Sequence, residues 1–298
     1  MDNFSILFVA FIILNFLLFK QNNLIAKKIK LFDYPDNLRK IHLKRVAITG
    51  GLFIFINLVA LFFVVKIEPF NSIDFFSEYK RQIVSFLFLI ISLFVIGLYD
   101  DKYDLNAFKK LFFSAAVIFI CLLIDENLVI KELKFYTANY SIKLFNLSIP
   151  FTLLSILLFV NAVNMFDGID LQVSIYVSLI FLYLIFNFEI NFLILLIPVM
   201  IFVIFFNFKK KLFLGDSGTN VLAGLLSFII INEYNNGFSE IYCEEIFLLM
   251  LLPGIDMLRL FIIRILRGKN PFSSDNKHLH HLYLKKFSLN FTIFLLQL

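Results

Sequence analysis

Nine apolar runs separated by short polar breaks dominate this chain of 298 residues, at about 4 to 19, 46 to 65, 83 to 99, 111 to 124, 149 to 165, 171 to 188, 191 to 208, 221 to 232 and 246 to 266. A water-facing helix or strand shows apolar residues as a stripe or an alternation, whereas a membrane span needs about 20 apolar residues in succession. The runs are too long and too uniform for barrel strands, and in lipid the backbone must satisfy its own hydrogen bonds, so they are predicted to be helices. The expected fold class is therefore all-α, a polytopic transmembrane bundle of about 9–10 spans formed by a single integral-membrane domain over residues 1–298. Composition agrees, with 60% apolar and 16% charged residues, 42 Phe and a mean hydropathy of +0.89, where soluble domains run near half apolar and a quarter charged. Only Cys121 and Cys243 occur, so no disulfide framework or cysteine metal site is expected and both are read as unpaired. The first run has neither a basic leader nor a small-residue cleavage site and reads as a first span. The last run, Phe287 to Leu298, is too short for a bilayer about 30 Å thick at about 1.5 Å per residue, and reads as an incomplete final span.

The net charge of +5 would suggest nucleic acid in a soluble chain; in a membrane protein it sets orientation instead, and no nucleic-acid partner is expected. Loops on the face that follows the first span carry twenty Lys and Arg, among them Lys27, Lys28, Lys102, Lys109, Lys110, Lys209 to Lys211 and Arg267, far more than the other face, where Lys80, Arg81, Lys131, Lys134 and Lys143 lie. The positive-inside rule places the first face in the cytoplasm. On the other face, the stretch from Asp125 to Ser148 contains alternating residues such as Lys134-Phe135-Tyr136-Thr137 and predicts a small hairpin.

Four polar clusters fall at the cytoplasmic span ends, where a bundle would gather them into one site beside the lipid headgroups. Asp100 and Asp101, with Asp104 one turn on, suit an oxygen-seeking cation such as Mg²⁺, or else form a solvated span end with Asp104 capping the next helix. Asn161 and Asn164 lie at i, i+3, followed by Asp167, Gly168 and Asp170; amides and carboxylates read base edges or ribose hydroxyls, the alternative being a polar helix exit with a glycine C-cap. Gly215-Asp216-Ser217-Gly218 opens a helix in the manner of an anion site with one metal-binding carboxylate, or is a tight turn. His278, His280 and His281 follow Asp275 and precede Lys285 and Lys286. Zinc is one reading, although residues at i, i+2 and i+3 of a helix cannot all reach one ion; phosphate binding and a solvated loop are the others. Arg39-Lys40-Ile41-His42 and the Gly50-Gly51 pair could hold an anion, the glycines alternatively serving helix packing. Asp256 lies within a run after Pro253 and Gly254, with Arg259 one turn on, and is either functional or an ion pair supporting a broken helix.

Taken in order, RKIH with GG, GLYDDKYDL, NAVNMFDGID, FLGDSG and the string from Pro253 through Asp256 and Arg264 to Pro271-Phe272 and DNKHLHH resemble the polyprenyl-phosphate N-acetylhexosamine-1-phosphate transferases, glycosyltransferase family 4. The H-x-H-H ending looks more like the undecaprenyl-phosphate N-acetylglucosamine-1-phosphate transferase branch than the muramoyl-pentapeptide one. Where the family usually reads DGxDGL, this chain has Asp170-Leu171-Gln172, and Thr49 precedes Gly50-Gly51 in a stretch that commonly holds a proline.

The resemblance implies an inner-membrane, multi-pass bacterial enzyme with a cytoplasmic active site. Its partners would be a UDP-N-acetylhexosamine, polyprenyl phosphate and the lipid bilayer, with a homodimer as the one protein partner considered. The reaction would give polyprenyl-diphosphate-sugar and UMP, starting a cell-envelope glycan of O-antigen, teichoic acid or peptidoglycan type. The implied cofactor is Mg²⁺, with Mn²⁺ as substitute. Residue by residue, it implies Asp100 and Asp101 as the essential pair, Asp100 as proton acceptor or nucleophile-orienting group and Asp101 with Asp216 as the metal-organising set. Asn164, Asp167 and Asp170 would hold the nucleotide, and Arg264, His278, His280 and His281 the sugar and diphosphate. Asp104, Asn161, Asp256, Arg39 and His42 are further candidates. A transporter, whose coupling sites sit near the bilayer midplane on broken helices, and a non-catalytic relative that binds lipid phosphate are the rival readings.

Overall fold

The computed structural model describes residues 3–35, 45–66, 80–236, 240–268 and 278–297. Each predicted run becomes one helix. They are α1 (Asn3–Lys20), α3 (Gly50–Val64), α4 (Lys80–Tyr103), α5 (Ala107–Ile124), α6 (Ser148–Phe166), α7 (Gln172–Phe188), α8 (Ile197–Phe208, entered through a 3₁₀ stretch, Asn191–Leu196), α9 (Gly215–Asn236) and α10 (Cys243–Leu266). Short elements join them: α2 (Asn22–Ile29), the two-residue strands β1 (Phe32–Asp33) and β2 (Val46–Ala47), the hairpin β3 (Glu132–Phe135) with β4 (Tyr140–Lys143), α11 (Leu279–Leu284) and α12 (Leu289–Leu295). Both strand pairs are antiparallel, and β3–β4 is the hairpin expected on the outer face.

Six of the helices are long and apolar enough to cross a membrane, and α3 and α7 are shorter apolar helices. Large side chains stand exposed along them, such as Phe16 and Leu17 on α1 and Phe247, Leu248, Leu258 and Ile262 on α10. Water would penalise such a surface and hydrocarbon does not. The chain is thus a multi-pass membrane protein.

At the centre stands α9, buried on every side from Ser217 to Ile231. An all-round apolar helix belongs in a core, and α3, α4 and α6 pack along it. Its approach to α4 is close because of Gly97, where a Cβ would overlap the Asp216 carbonyl and the Ser217 backbone. Gly51 of α3 meets Gly218 in the same way. The N–H groups of Gly50 and Gly51 donate to the Phe213 and Leu214 carbonyls at 3.0 and 2.9 Å. The glycine pair therefore packs α3 against the entry to α9, and its amides are not offered to an anion. Away from this junction, Asn15 of α1 and Asn57 of α3 pair reciprocally at 2.8 and 3.0 Å, an interhelical amide bond of the kind that joins spans in lipid.

Overpacking a contact as tight as Gly97 costs about 1–3 kcal/mol. Gly97→Ala is expected to lower the melting temperature in detergent. Gly254→Ala, where a Cβ meets open space, is expected to leave it unchanged or raise it; equal melting temperatures for the two variants would contradict this packing.

Candidate active site

The buried start of α9 creates the first requirement, because its leading N–H groups have no turn before them and need acceptors. Asp101, near the C-terminus of α4, supplies these: its two carboxylate oxygens accept from Asp216 N and Ser217 N at 2.7 and 3.0 Å. A capping carboxylate contributes about 1–2 kcal/mol and complements the helix dipole. Asp101 thus fixes where the Asp216 side chain stands.

That position is shared. Nζ of Lys110, in the first turn of α5, lies 2.7 Å from Asp216 Oδ2 and 2.7 Å from Asp100 Oδ2, and donates to Asn164 Oδ1 at 3.1 Å. Asn164, at the end of α6, returns its amide to Asp216 Oδ1 at 2.7 Å and to Thr219 Oγ1 at 2.9 Å. Asp100 Oδ1 accepts from Leu105 N at 2.6 Å, which fixes the chain as it leaves α4. Four helices therefore contribute to one hydrogen-bonded cluster. Asp167, just beyond α6, is exposed and lies within electrostatic reach of Asp216, Asp101 and Asp170. One ammonium thus stands among several carboxylates, and the donors are the hard oxygens that Mg²⁺ selects. The residues present fit a divalent cation by the chemistry of their oxygens; those of Asp100 and Asp216 accept from Lys110, Leu105 N and Asn164, as those of Asp101 accept from the backbone of α9.

The histidine segment joins this site through a glycine. His280 is buried, and its ring lies so close to Gly168 that a Cβ there would overlap it. Gly168 takes no left-handed backbone, so the glycine is required by the imidazole and not by a C-cap. Burial, and then the neighbouring charges of His281 and His278, hold the His280 imidazole down to about 3. His281 lies with its ring centroid 4.3 Å from that of His280, and His278 stacks on His280 at 5.2 Å. Asp256 reaches His278 from within α10, Nδ1 to Oδ2 3.0 Å, and also holds Arg259 at 2.8 Å. Arg264 is buried in the last turn of α10.

Other candidates lie apart. Asn161 donates to Leu157 O in its own helix at 2.7 Å and does not join the cluster. Asp104 is exposed, ends α4 in a left-handed conformation (φ 48°), and does not cap α5; Asn106 does, accepting from Phe108 N at 2.9 Å. The three-residue linker after α4 turns Asp104 away and leaves Asn106 in register for the cap. Arg39 and His42, with Lys40 and Asp275 to Lys277, fall outside the described residues.

Lys110 was legible only as a loop charge, yet Ser114, Ile118, Cys121 and Leu122 form the buried stripe of α5 and Lys110 falls on it, while Lys109 is exposed. Asn207 of α8 was missed altogether. Its Oδ1 accepts from Leu171 N at 2.5 Å and its Nδ2 donates to Leu212 O at 2.9 Å, so one amide ties the Asp167–Asp170 loop to the approach to Asp216. Leu171, where the family pattern has glycine, keeps a glycine-like φ of 73°, a conformation that costs a side-chain-bearing residue about 1–2 kcal/mol.

A family model described as glycosyl transferase family 4 matches residues 83–233, half of the chain, and the match contains the whole carboxylate, lysine and amide cluster. The chain belongs to glycosyl transferase family 4. Curated relatives named undecaprenyl-phosphate alpha-N-acetylglucosaminyl 1-phosphate transferase are similar across most of its length. That of Thermotoga maritima is 29% identical over 283 residues, covering 92% of this chain and 80% of the relative. Those of Escherichia coli O157:H7 and Escherichia coli K12 are each 24% identical over 273 residues, covering 88% of this chain and 71% of the relative. In this family member the match ends before Asp256 and the histidines, whose connection to the cluster comes from the fold through Gly168.

Removing the Asn207 amide leaves a buried N–H and a buried carbonyl without their partner, at about 2 kcal/mol in all. Asn207→Leu is expected to lower the melting temperature and to raise amide exchange at Leu171; unchanged exchange at Leu171 would show that the loop is held by other contacts.

Proposed function

We propose that this chain transfers an N-acetylhexosamine 1-phosphate from a UDP-sugar to polyprenyl phosphate, giving polyprenyl-diphosphate-sugar and UMP. The observation that carries the reading is the single cluster in which Lys110 bridges Asp100 and Asp216 at the ends of apolar helices. The carrier and sugar in the relatives' names favour undecaprenyl phosphate and N-acetylglucosamine. The excess of Lys and Arg on the loops that carry the site favours the cytoplasmic face of the bacterial inner membrane. The product would begin assembly of a cell-envelope glycan.

The chemistry follows from charge. An oxygen of the carrier phosphate attacks the sugar-linked phosphorus, the new P–O bond forms, and the bond to the UMP oxygen breaks. Both reactants are anionic, so countercharge and alignment supply most of the rate. Lys110 supplies one positive charge at a fixed point. Asp100 and Asp216 would hold Mg²⁺, which when bound neutralises phosphoryl oxygens and withdraws charge from the leaving group. A phosphate monoester has a second pKa of about 6, so the carrier phosphate is largely ionised at neutral pH. Asp100 then serves mainly to orient it, taking the last proton when one is present. Asp101 contributes by holding the α9 start that carries Asp216. Asp167 and Asp170 are assigned to the ribose and base, which carboxylates can read; Asn164, whose amide is engaged by Lys110, Asp216 and Thr219, is assigned to holding the end of α6 beside them, and Arg264 and the three histidines are assigned to the sugar and diphosphate.

Membranes containing the protein, given polyprenyl phosphate, Mg²⁺ and a panel of radiolabelled UDP-sugars, are expected to form a lipid-linked product with at least one donor. EDTA should stop the reaction and Mg²⁺ or Mn²⁺ restore it. Asp216→Asn is expected to reduce turnover about 100-fold or more while the protein still inserts. Absence of product with every donor, or wild-type turnover in Asp216→Asn, would contradict the assignment.

A further inference from the structure

Asp256 stands midway along α10 with only 2% of its surface exposed, and its carboxylate is satisfied from three directions. Oδ1 accepts from Arg259 Nη2 at 2.8 Å and from the backbone N–H of Leu279 at 3.0 Å, and Oδ2 lies 3.0 Å from His278 Nδ1. The arginine is the i, i+3 partner that the sequence suggests. The other two partners belong to the start of α11, more than twenty residues further along the chain. A buried carboxylate with these bonds is stable and one without them is costly, so the bonds fix the start of α11 to α10.

Two consequences reach the site. With Nδ1 committed to the carboxylate, any hydrogen bond or proton that His278 offers to a ligand must come through Nε2. His280, two residues on and stacked on His278, is seated on Gly168, so the same anchor sets the histidines against the Asp167–Asp170 loop. We propose that Asp256 is a positioning residue: it fixes the tautomer and orientation of His278 and, through α11, the placement of the histidines on the part of the donor that lies beyond the nucleotide. This rests on the transferase reading above. Donor atoms of Asp256, His278 and His280 also lie within 4.8 Å of one another, a set that zinc accepts. The direct Asp256–His278 bond, with Arg259 on the same carboxylate, favours an ion-paired anchor instead, and a metal centre becomes a competing outcome.

The test is calorimetric binding of UDP-N-acetylglucosamine and of UMP to the purified full-length chain, as wild type, Asp256→Asn, His278→Ala and the double variant. Asp256→Asn keeps the shape but presents N–H to His278 Nδ1, which reverses the tautomer. Each single variant should weaken UDP-N-acetylglucosamine about tenfold, the scale of one charge-assisted hydrogen bond. The double variant should lose no more, since the two residues act as one unit. UMP affinity should stay unchanged, and Asp256→Glu should recover part of the loss. Additive losses, or an equal loss of UMP, would make Asp256 a structural residue only and overturn the proposal. So would one equivalent of zinc in the wild type that disappears in Asp256→Asn. If Asp256→Asn does not fold, ¹⁵N-histidine spectra of the wild type decide: a proton on His278 Nδ1 supports the proposal, and an unprotonated Nδ1 overturns it. A wild type that binds neither nucleotide removes the transferase reading itself and this inference with it; one that binds both and makes no lipid product removes the reaction and leaves the anchor to be judged on binding.

Discussion

One ammonium group holds this end of the helix bundle together. Lys110 Nζ lies 2.7 Å from carboxylates of two different helices and 3.1 Å from an amide of a third. Carboxylates brought this close repel one another strongly where water is scarce, and removing a single partner from such a group leaves uncompensated charge. The glycines that let α9 approach α3 and α4 would otherwise force Asp216, Asp101 and Asp100 together without compensation. Close packing and a buried cation are thus two halves of one arrangement. Under the proposed function, the same carboxylates would take a divalent cation and, with it, two phosphorylated substrates.

The membrane explains why the polar groups lie where they do. Within the spans Asn15 pairs with Asn57, while at the helix ends the unpaired N–H groups of α9 need an acceptor that solvent cannot supply. Asp101 supplies it, so the same carboxylate that looks like a metal ligand in the sequence acts on the backbone in the structure. Asp256 solves a similar problem deeper in α10, where a buried charge is held by a neighbouring arginine and by the start of α11. The histidine segment therefore arrives at the site as part of the fold.

Much of this was legible because a bilayer enforces a coarse grammar. Runs of apolar residues became helices nearly one for one, the alternating stretch near Lys134 became the hairpin, and the Asp100, Asn164 and Asp216 motifs met. What was hidden depends on rotation and contact. The order of runs does not reveal that α9 is the central helix, and a lysine beside another lysine gives no sign of which one points inward until the α5 stripe through Ser114 and Ile118 is followed. Gly168 reads as a helix stop, but its reason, the His280 ring, lies more than a hundred residues away. Asn161 and Asp104 had the right chemistry and the wrong azimuth: one turns back on its own helix and the other faces out. Asn207 sits in a greasy run with no motif around it, and only the fold shows that it ties two site loops together.

The central claim is that like charges on α4 and α9 are held together by the lysine of α5, and a stability cycle tests it without any assumption about substrate. Thermal unfolding in detergent should be compared for wild type, Lys110→Met, Asp216→Asn and the double variant. If the cluster is as described, Lys110→Met lowers the melting temperature markedly and adding Asp216→Asn recovers part of the loss, because one of the unpaired charges is gone. Two independent losses that simply add in the double variant would show that Lys110 and Asp216 do not share one electrostatic site, and would contradict the account.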